Sequence, residues 1–225
     1  MNSIGPKALK RCFFFALFLG VLIFLPARTL AYWQGWCFFV IMISCCYAAT
    51  IYFLKKDPAL VSRRLNAGPI YEKEPRQKII QSITGTLVLA QYVGGAWDYH
   101  IHGSSVPATL VVIADLGIFT GFYVIFLTLR ENGFASAIVE VDRGQRVISS
   151  GPYARVRHPM YSGAILLFVF TPLALSSWWA LIPGGLLIAA VIWRLLDEEQ
   201  FLRRNLDGYE AYYQRVRYRL VPGVW

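Results

Sequence analysis

Two short segments near the end of the chain combine residue types that bind charged ligands. The first, residues 145–163, reads QRVISSGPYARVRHPMYSG and begins as an extended piece before Gly151-Pro152 forces a turn. Pro159 then stands at the favoured first position of a helix, which places His158 at the helix start. Free backbone N–H groups at such a start suit a carboxylate or another anion. The alternative interpretation of His158 is a capping or interfacial histidine.

The second segment is the charged end of the last apolar run. Arg194 and Glu198 are four residues apart, so they share one helix face. Ionisable groups at this depth usually face a cavity or a partner, although a weak exposed ion pair is the alternative. Beyond them, residues 209–216 predict a short amphipathic helix, which either packs on a membrane surface or covers a site.

Six apolar segments must position these residues. A helix needs about 20 residues to cross the hydrocarbon core of a bilayer. Only Leu175-Ser176-Ser177 separates the last two segments, which predicts a tight helical hairpin, with Pro172 kinking or ending its first arm. The segments are 11–26, 33–54, 79–97, 107–129, 160–175 and 178–196.

Composition supports a membrane protein. Hydrophobic residues make up 56% of the 225 residues and charged residues 16%, against about 25% charged in ordinary globular chains. The predicted fold is therefore an all-α, polytopic membrane bundle with five to six transmembrane helices and a C-terminal hairpin. We divide it into an N-terminal region of four spans, 1–130, and a region with the charged motifs, 131–225. Disorder and a disulfide scaffold are excluded.

The basic residues that give the chain its net charge of +9 are concentrated in particular loops. Basic residues concentrate in alternate polar stretches, at 7–11, 55–78, 130–157 and 194–219, while the intervening loops hold almost none. By the positive-inside rule, both termini of this multi-pass chain are cytosolic. The charge is thus explained without nucleic acid, and it favours contact with anionic membrane lipids.

Other candidate residues carry weaker signals. His100 and His102 alternate in a short loop, but no third metal ligand is evident, so no metal site is predicted. Asp115 lies inside the fourth span, where an acid is either functional or hydrogen-bonded within the bundle. The cysteines are interpreted as small apolar residues: Cys12, Cys37, Cys45 and Cys46.

The order of motifs resembles a known family. GPYARVRHPMYSG, then the pair Glu198-Glu199, then YEAYYQRV is similar to the isoprenylcysteine carboxyl methyltransferases, part of a wider group of membrane methyltransferases that includes phospholipid methyltransferases. The resemblance covers about 134–221. It implies binding of S-adenosylmethionine in a cytosolic pocket and methylation of a lipophilic acceptor that enters from the bilayer.

The resemblance also implies roles for individual residues. Arg194 matches the residue that faces the acceptor and, with Glu198, is assigned to catalysis; residues 145–148 match a strand that lines the cofactor. Two departures are Gln145, where the family usually has histidine, and Glu140, roughly where it often has glutamine. The positions matched to cofactor binding are Gln145, Arg146, Val147, Ile148, Gly151, Tyr153, His158, Pro159, Met160, Tyr161 and Glu198.

The residue types suit this chemistry. Glu198 would hold the ammonium of S-adenosylmethionine, the helix start at His158 its carboxylate, and Tyr153 and Tyr161 its adenosine or sulfonium. Arg194 would orient a carboxylate acceptor, which needs no base, whereas no base is evident for a thiol or amine. The carboxylate is therefore favoured. Two alternatives remain open: an NADPH-dependent double-bond reductase of the sterol type, and a non-enzymatic membrane scaffold.

Overall fold

The computed structural model describes residues 4–141 and 144–225. Residues 1–3 and 142–143, which fall in the predicted regions 1–130 and 131–225, lie outside it. Over the described residues the chain forms eight α-helices, one short 3₁₀ helix at Gly151–Ala154 and no strand. The α-helices are α1 Ile4–Ala27, α2 Trp33–Lys56, α3 Pro58–Leu65, α4 Pro75–His102, α5 Ala108–Glu131, α6 Pro159–Ala174, α7 Leu181–Asn205 and α8 Tyr209–Arg215.

Each predicted apolar segment coincides with a long helix, which confirms the all-α class. Among the described residues, three helices are long and apolar enough to cross a membrane: α1, α2 and α5, of 24 residues each. Helix α6 is apolar but shorter, and α4 and α7 mix apolar with polar residues. A membrane-associated helical bundle follows, while the number of crossings stays a prediction.

The hairpin of α6 and α7 packs against α5 and α4. Helix α5 approaches α6 closely because two glycines face each other at the crossing. A Cβ atom on Gly163 would lie 2.7 Å from the carbonyl oxygen of Gly121, and one on Gly121 would lie 2.8 Å from that of Gly163. On the other side, Gln91 of α4 donates to the backbone oxygen of Phe168 at 2.8 Å. These contacts fix the start of α6 beside the middle of α5.

Short helices flank the bundle at the end where α2, α5 and α7 finish. Asp57 caps α3, since its side chain accepts a hydrogen bond from the backbone N–H of Leu60 at 2.9 Å. The predicted short helix at 209–216 is present as α8, which starts after Gly208 in the left-handed conformation at φ 80°. The strand predicted at 145–148 was wrong, because this stretch has no strand partner among the described residues and runs as an irregular segment.

Candidate active site

A cleft between the start of α6, the end of α7 and α8 collects most of the predicted site residues. It has a volume of about 130 Å³, below the roughly 300–1,000 Å³ of small-molecule pockets, and it is open at its mouth. The sequence-predicted residues that line it are Gln145, Arg146, Val147, Ile148, Tyr153, His158, Pro159, Met160, Tyr161, Arg194 and Glu198.

Gly151 is the one predicted site residue outside the lining. It opens the 3₁₀ turn that carries Tyr153, and its φ is 55°. A Cβ atom there would lie 2.9 Å from the carboxyl group of Glu131, which also accepts a hydrogen bond from the Ser150 hydroxyl. Gly151 therefore shapes the loop behind the cleft rather than its surface.

Arg194 is held by Tyr161, which lines the cleft, and by Glu72 and the backbone oxygen of Ala137, which do not. Its Nε donates to the Tyr161 hydroxyl at 3.0 Å, and its Nη2 donates to Glu72 Oε1 at 2.9 Å. Glu72 is fully buried, whereas the Arg194 side chain is 12% exposed. Its third nitrogen, Nη1, is buried without a hydrogen-bond partner. The exposed ion pair considered for Arg194 and Glu198 is therefore not the arrangement found.

Glu198 joins the same network through a tyrosine. The Tyr161 hydroxyl donates to Glu198 Oε2 while it accepts from Arg194. A chain of contacts thus runs from Glu72 through Arg194 and Tyr161 to Glu198. One cation and one anion face the cleft at fixed positions.

The neighbouring Glu199 points away from this network and is the anchor of a buried cluster. Its carboxylate accepts from Arg157 Nε at 2.6 Å, from Arg219 Nε at 2.9 Å, and contacts His158 Nε2 at 3.2 Å. Burial by itself would raise the pKa of Glu199. Hydrogen bonds from His158, Arg157 and Arg219 outweigh that effect and lower the pKa to about 2. Glu199 is thus an anion that holds the start of α6 to the C-terminal segment.

This cluster changes the interpretation of His158. The ring nitrogen Nε2 already faces Glu199, and the imidazole is buried. Its ring stacks on Tyr161 with centroids 5.7 Å apart. His158 lines the cleft, but one of its two ring nitrogens is occupied, so its predicted contact with an anionic ligand depends on the rest of the helix start.

Tyrosines form another wall. Asn132 donates to the Tyr153 hydroxyl at 3.0 Å, and burial raises the pKa of Tyr153 to about 12, so the phenol is neutral. Tyr209 and Tyr212 of α8 also line the cleft. The Tyr209 hydroxyl is buried without a partner. Helix α8 therefore forms one side of the cleft.

The sequence analysis gave no role to Glu72 or Asn132. It named Glu199 only as the second member of an acidic pair, and Tyr209 only as the start of a helix that either covers a site or packs on a membrane. Glu140, one of the two departures from the family pattern, accepts from Lys73 at 2.7 Å and lines the cleft.

The weaker candidates lie away from the cleft. His102 contacts Asp98 at 2.7 Å, one helical turn away, and Asp115 is buried in α5. Over residues 4–141 and 144–225, no group of three or more histidine, cysteine, aspartate or glutamate side chains is placed to hold a metal ion.

The described residues thus form an all-helical bundle with three apolar helices and a polar cleft at one end, which indicates a membrane-associated protein. Residues 109–207 match the family model of the phospholipid methyltransferases. The match confirms the predicted resemblance to membrane methyltransferases, and it contains His158, Arg194 and Glu198. Comparison with curated proteins gave no match. Methyltransferases of this family generally use S-adenosylmethionine.

Polar groups in the cleft wall would complement the charged and polar groups of such a ligand. Buried polar atoms normally have hydrogen-bond partners, yet two atoms of residues in its wall lack one: Arg194 Nη1 and Tyr209 Oη. A ligand with anionic and hydroxyl groups would satisfy both. Glu198 supplies the complementary acceptor for an ammonium group.

Proposed function

We propose that the protein is an integral membrane methyltransferase that uses S-adenosylmethionine to methylate a lipophilic small molecule. The observation that carries this proposal is the Tyr161 hydroxyl, which bonds Arg194 and Glu198 and fixes a cation and an anion in one cleft wall. The match over 109–207 supports the reaction class. It favours neither an NADPH-dependent reductase nor a non-enzymatic scaffold.

The cofactor, when bound, supplies a methyl group already activated by the positive charge on sulfur. Glu198 would accept hydrogen bonds from its ammonium group, and the start of α6 beside His158 would hold its carboxylate. Tyr153 and the α8 tyrosines would pack on its apolar surfaces and exclude water. These residues bind and align; none has to move a proton.

The acceptor is proposed to carry a carboxylate, as in an isoprenylcysteine. Arg194 Nη1 is the free donor for one of its oxygens, and Glu72 keeps the guanidinium oriented. Arg194 would hold the carboxylate oxygen against the methyl group that the bound cofactor would supply, with the neutral sulfide as the leaving group. A carboxylate is ionised at neutral pH, so this step needs no base.

The proposed topology follows from the charges. Basic stretches at 55–78, 130–157 and 194–219 all belong to the end of the bundle that carries the cleft. With that end in the cytosol, both termini are cytosolic. The cofactor then reaches the cleft from water, and the acceptor reaches it sideways from the bilayer.

Transfer of a labelled methyl group from S-adenosylmethionine into lipid extracts and synthetic prenyl carboxylates tests the proposal. We expect Glu198→Gln to weaken cofactor binding and Arg194→Gln to reduce transfer at unchanged cofactor affinity. Asp207→Asn and Arg204→Gln are matched controls, because both side chains are exposed near the same end of α7. Transfer by wild type and controls with loss in the two cleft variants supports the assignment. Equal transfer by all five proteins would refute these roles.

A further inference from the structure

A second cavity lies beside the cleft, between α1, α2, α3 and α5. It has a volume of about 850 Å³ and a predominantly apolar lining. Phe15, Ala49, Phe122 and Phe126 contribute to its walls. The helices around it include α1, α2 and α5, the three that are apolar enough to cross a membrane. The cavity therefore lies among helices that we predict to cross the hydrocarbon layer of a bilayer.

Two arginines stand at the α3 end of this apolar cavity. Arg11 donates to the backbone oxygen of Leu65, and Arg64 reaches the backbone oxygens of Ser136 and Ala135 only at 3.4 and 3.5 Å. Among the residues that the structure describes, neither guanidinium has a carboxylate within ion-pair distance. Burial lowers the pKa of Arg64, as expected for a cation that lacks a counter-ion.

Arg64 lies between the apolar cavity and the cleft and contacts residues of both. It lines the cavity, and its Nη1 contacts the sulfur of Met160 at 3.9 Å. Met160, Ala135 and Ser136 all line the cleft. The next residue, Tyr161, bonds Arg194. Two guanidinium groups thus flank the start of α6, one from the apolar cavity and one from the cleft.

We propose that the apolar cavity seats the hydrocarbon chain of the methyl acceptor and that Arg64, together with Arg194, binds its carboxylate at the edge of the cleft. The occupant is a single-chain amphiphile with one anionic head. Charge complementarity supports this choice, because a carboxylate would supply the counter-ion that Arg64 lacks. The inference rests on the proposed function, since it identifies where the acceptor of that reaction binds.

Fluorescence titration with cis-parinaric acid, a polyene fatty acid, and with its uncharged methyl ester tests the proposal on the full chain in detergent. Arg64→Gln should weaken binding of the acid by about tenfold and leave the ester unchanged. Ala48→Trp, which fills the cavity from α2, should weaken both. Lys56→Gln and Ala90→Trp are matched controls, since both residues are exposed and neither lines the cavity.

Affinity for S-adenosylmethionine, measured on the same preparations, separates this inference from the proposed function. The acceptor site is supported if Arg64→Gln and Ala48→Trp keep their affinity for S-adenosylmethionine while Arg64→Gln binds the acid more weakly and Ala48→Trp binds both acid and ester more weakly. Acid binding that is equal in wild type and both variants would overturn it, while the proposed function would stand. Displacement of the acid by phosphatidylglycerol but not by other single-chain carboxylates would also overturn it, because the cavity would then hold a resident lipid. Absence of cofactor binding in wild type would refute the proposed function instead.

Discussion

Arg194 pairs with Glu72, which lies before α4 and 122 positions away in sequence, and not with Glu198 one turn along its own helix. Both ends of this pair are largely buried, so Glu72 fixes the guanidinium and leaves Glu198 to Tyr161. The pairing separates the two charges that the cleft presents. Because Arg194 and Glu198 do not pair with each other, each is available to a ligand group of opposite charge.

The first prediction concerns this pair. Glu72→Gln leaves Arg194 without its buried counter-ion, so we expect a loss of about 3–5 kcal/mol of stability and a lower rate of methyl transfer. Thermal unfolding in detergent and the transfer assay measure the two effects. Glu74→Gln, two residues along the same segment, has no side-chain hydrogen bond at its helix cap and serves as the control. Equal unfolding temperatures in the two variants would argue against the pair.

The second prediction isolates the Tyr161 hydroxyl. Tyr161→Phe keeps the ring and removes the group that joins Arg194 to Glu198. We expect binding of S-adenosylmethionine to weaken and kcat for transfer to fall, with a smaller drop in unfolding temperature than in Glu72→Gln because no buried charge loses its counter-ion. Tyr218→Phe is a suitable comparison because Tyr218 is exposed and does not line the cleft. If Tyr161→Phe matched wild type in affinity and kcat, the bridge would have no functional role.

The third prediction is a dependence of stability on pH. The pKa of Glu199 is about 2 in the folded chain, below its ordinary 4.5. A lowered folded-state pKa contributes stability above pH 4.5 that is lost as pH falls from 4.5 towards 2. The contribution is about 3 kcal/mol. Unfolding temperatures across this range should fall more in wild type than in Glu199→Gln. Parallel curves for the two proteins would contradict the role of Glu199.

The fourth prediction tests how the start of α6 is held beside α5. Gly163→Ala places a Cβ atom 2.7 Å from the carbonyl oxygen of Gly121, and such overpacking costs about 1–3 kcal/mol. Gly85→Ala on α4 meets nothing within 4 Å and should be neutral or stabilising through helix propensity. Thermal unfolding distinguishes them. A Gly163→Ala protein as stable as Gly85→Ala would mean that the two helices are not in close contact.

Much of the fold follows from patterns within the chain. Runs of apolar residues predict the long helices because hydropathy and length act locally, and the structure places helices at all six segments. Pro159 predicts the start of α6, and the charged end of α7 predicts a cleft-facing pair at Arg194 and Glu198. These residues meet because the hairpin folds α7 back along α6.

The partners of these residues were beyond sequence reasoning. Glu72 reaches Arg194 only through the packing of α4 on α7, which no local pattern specifies. Glu199 is adjacent to Glu198, and a helix turns about 100° per residue. The spacing from Arg194 therefore selects Glu198 for the cleft, but no local pattern gives the partners of Glu199. The missing strand at 145–148 has a similar cause, since a strand requires a pairing partner elsewhere in the chain.

Calorimetric titration of S-adenosylmethionine into the detergent-purified protein, with NADPH titrated in parallel, tests the central claim most directly. The account predicts saturable binding of S-adenosylmethionine at one site per chain, weakened in Glu198→Gln and retained in Asp207→Asn, with no binding of NADPH. Binding of NADPH alone, or no binding of S-adenosylmethionine, would contradict the assignment of the cleft as a methyl-donor site.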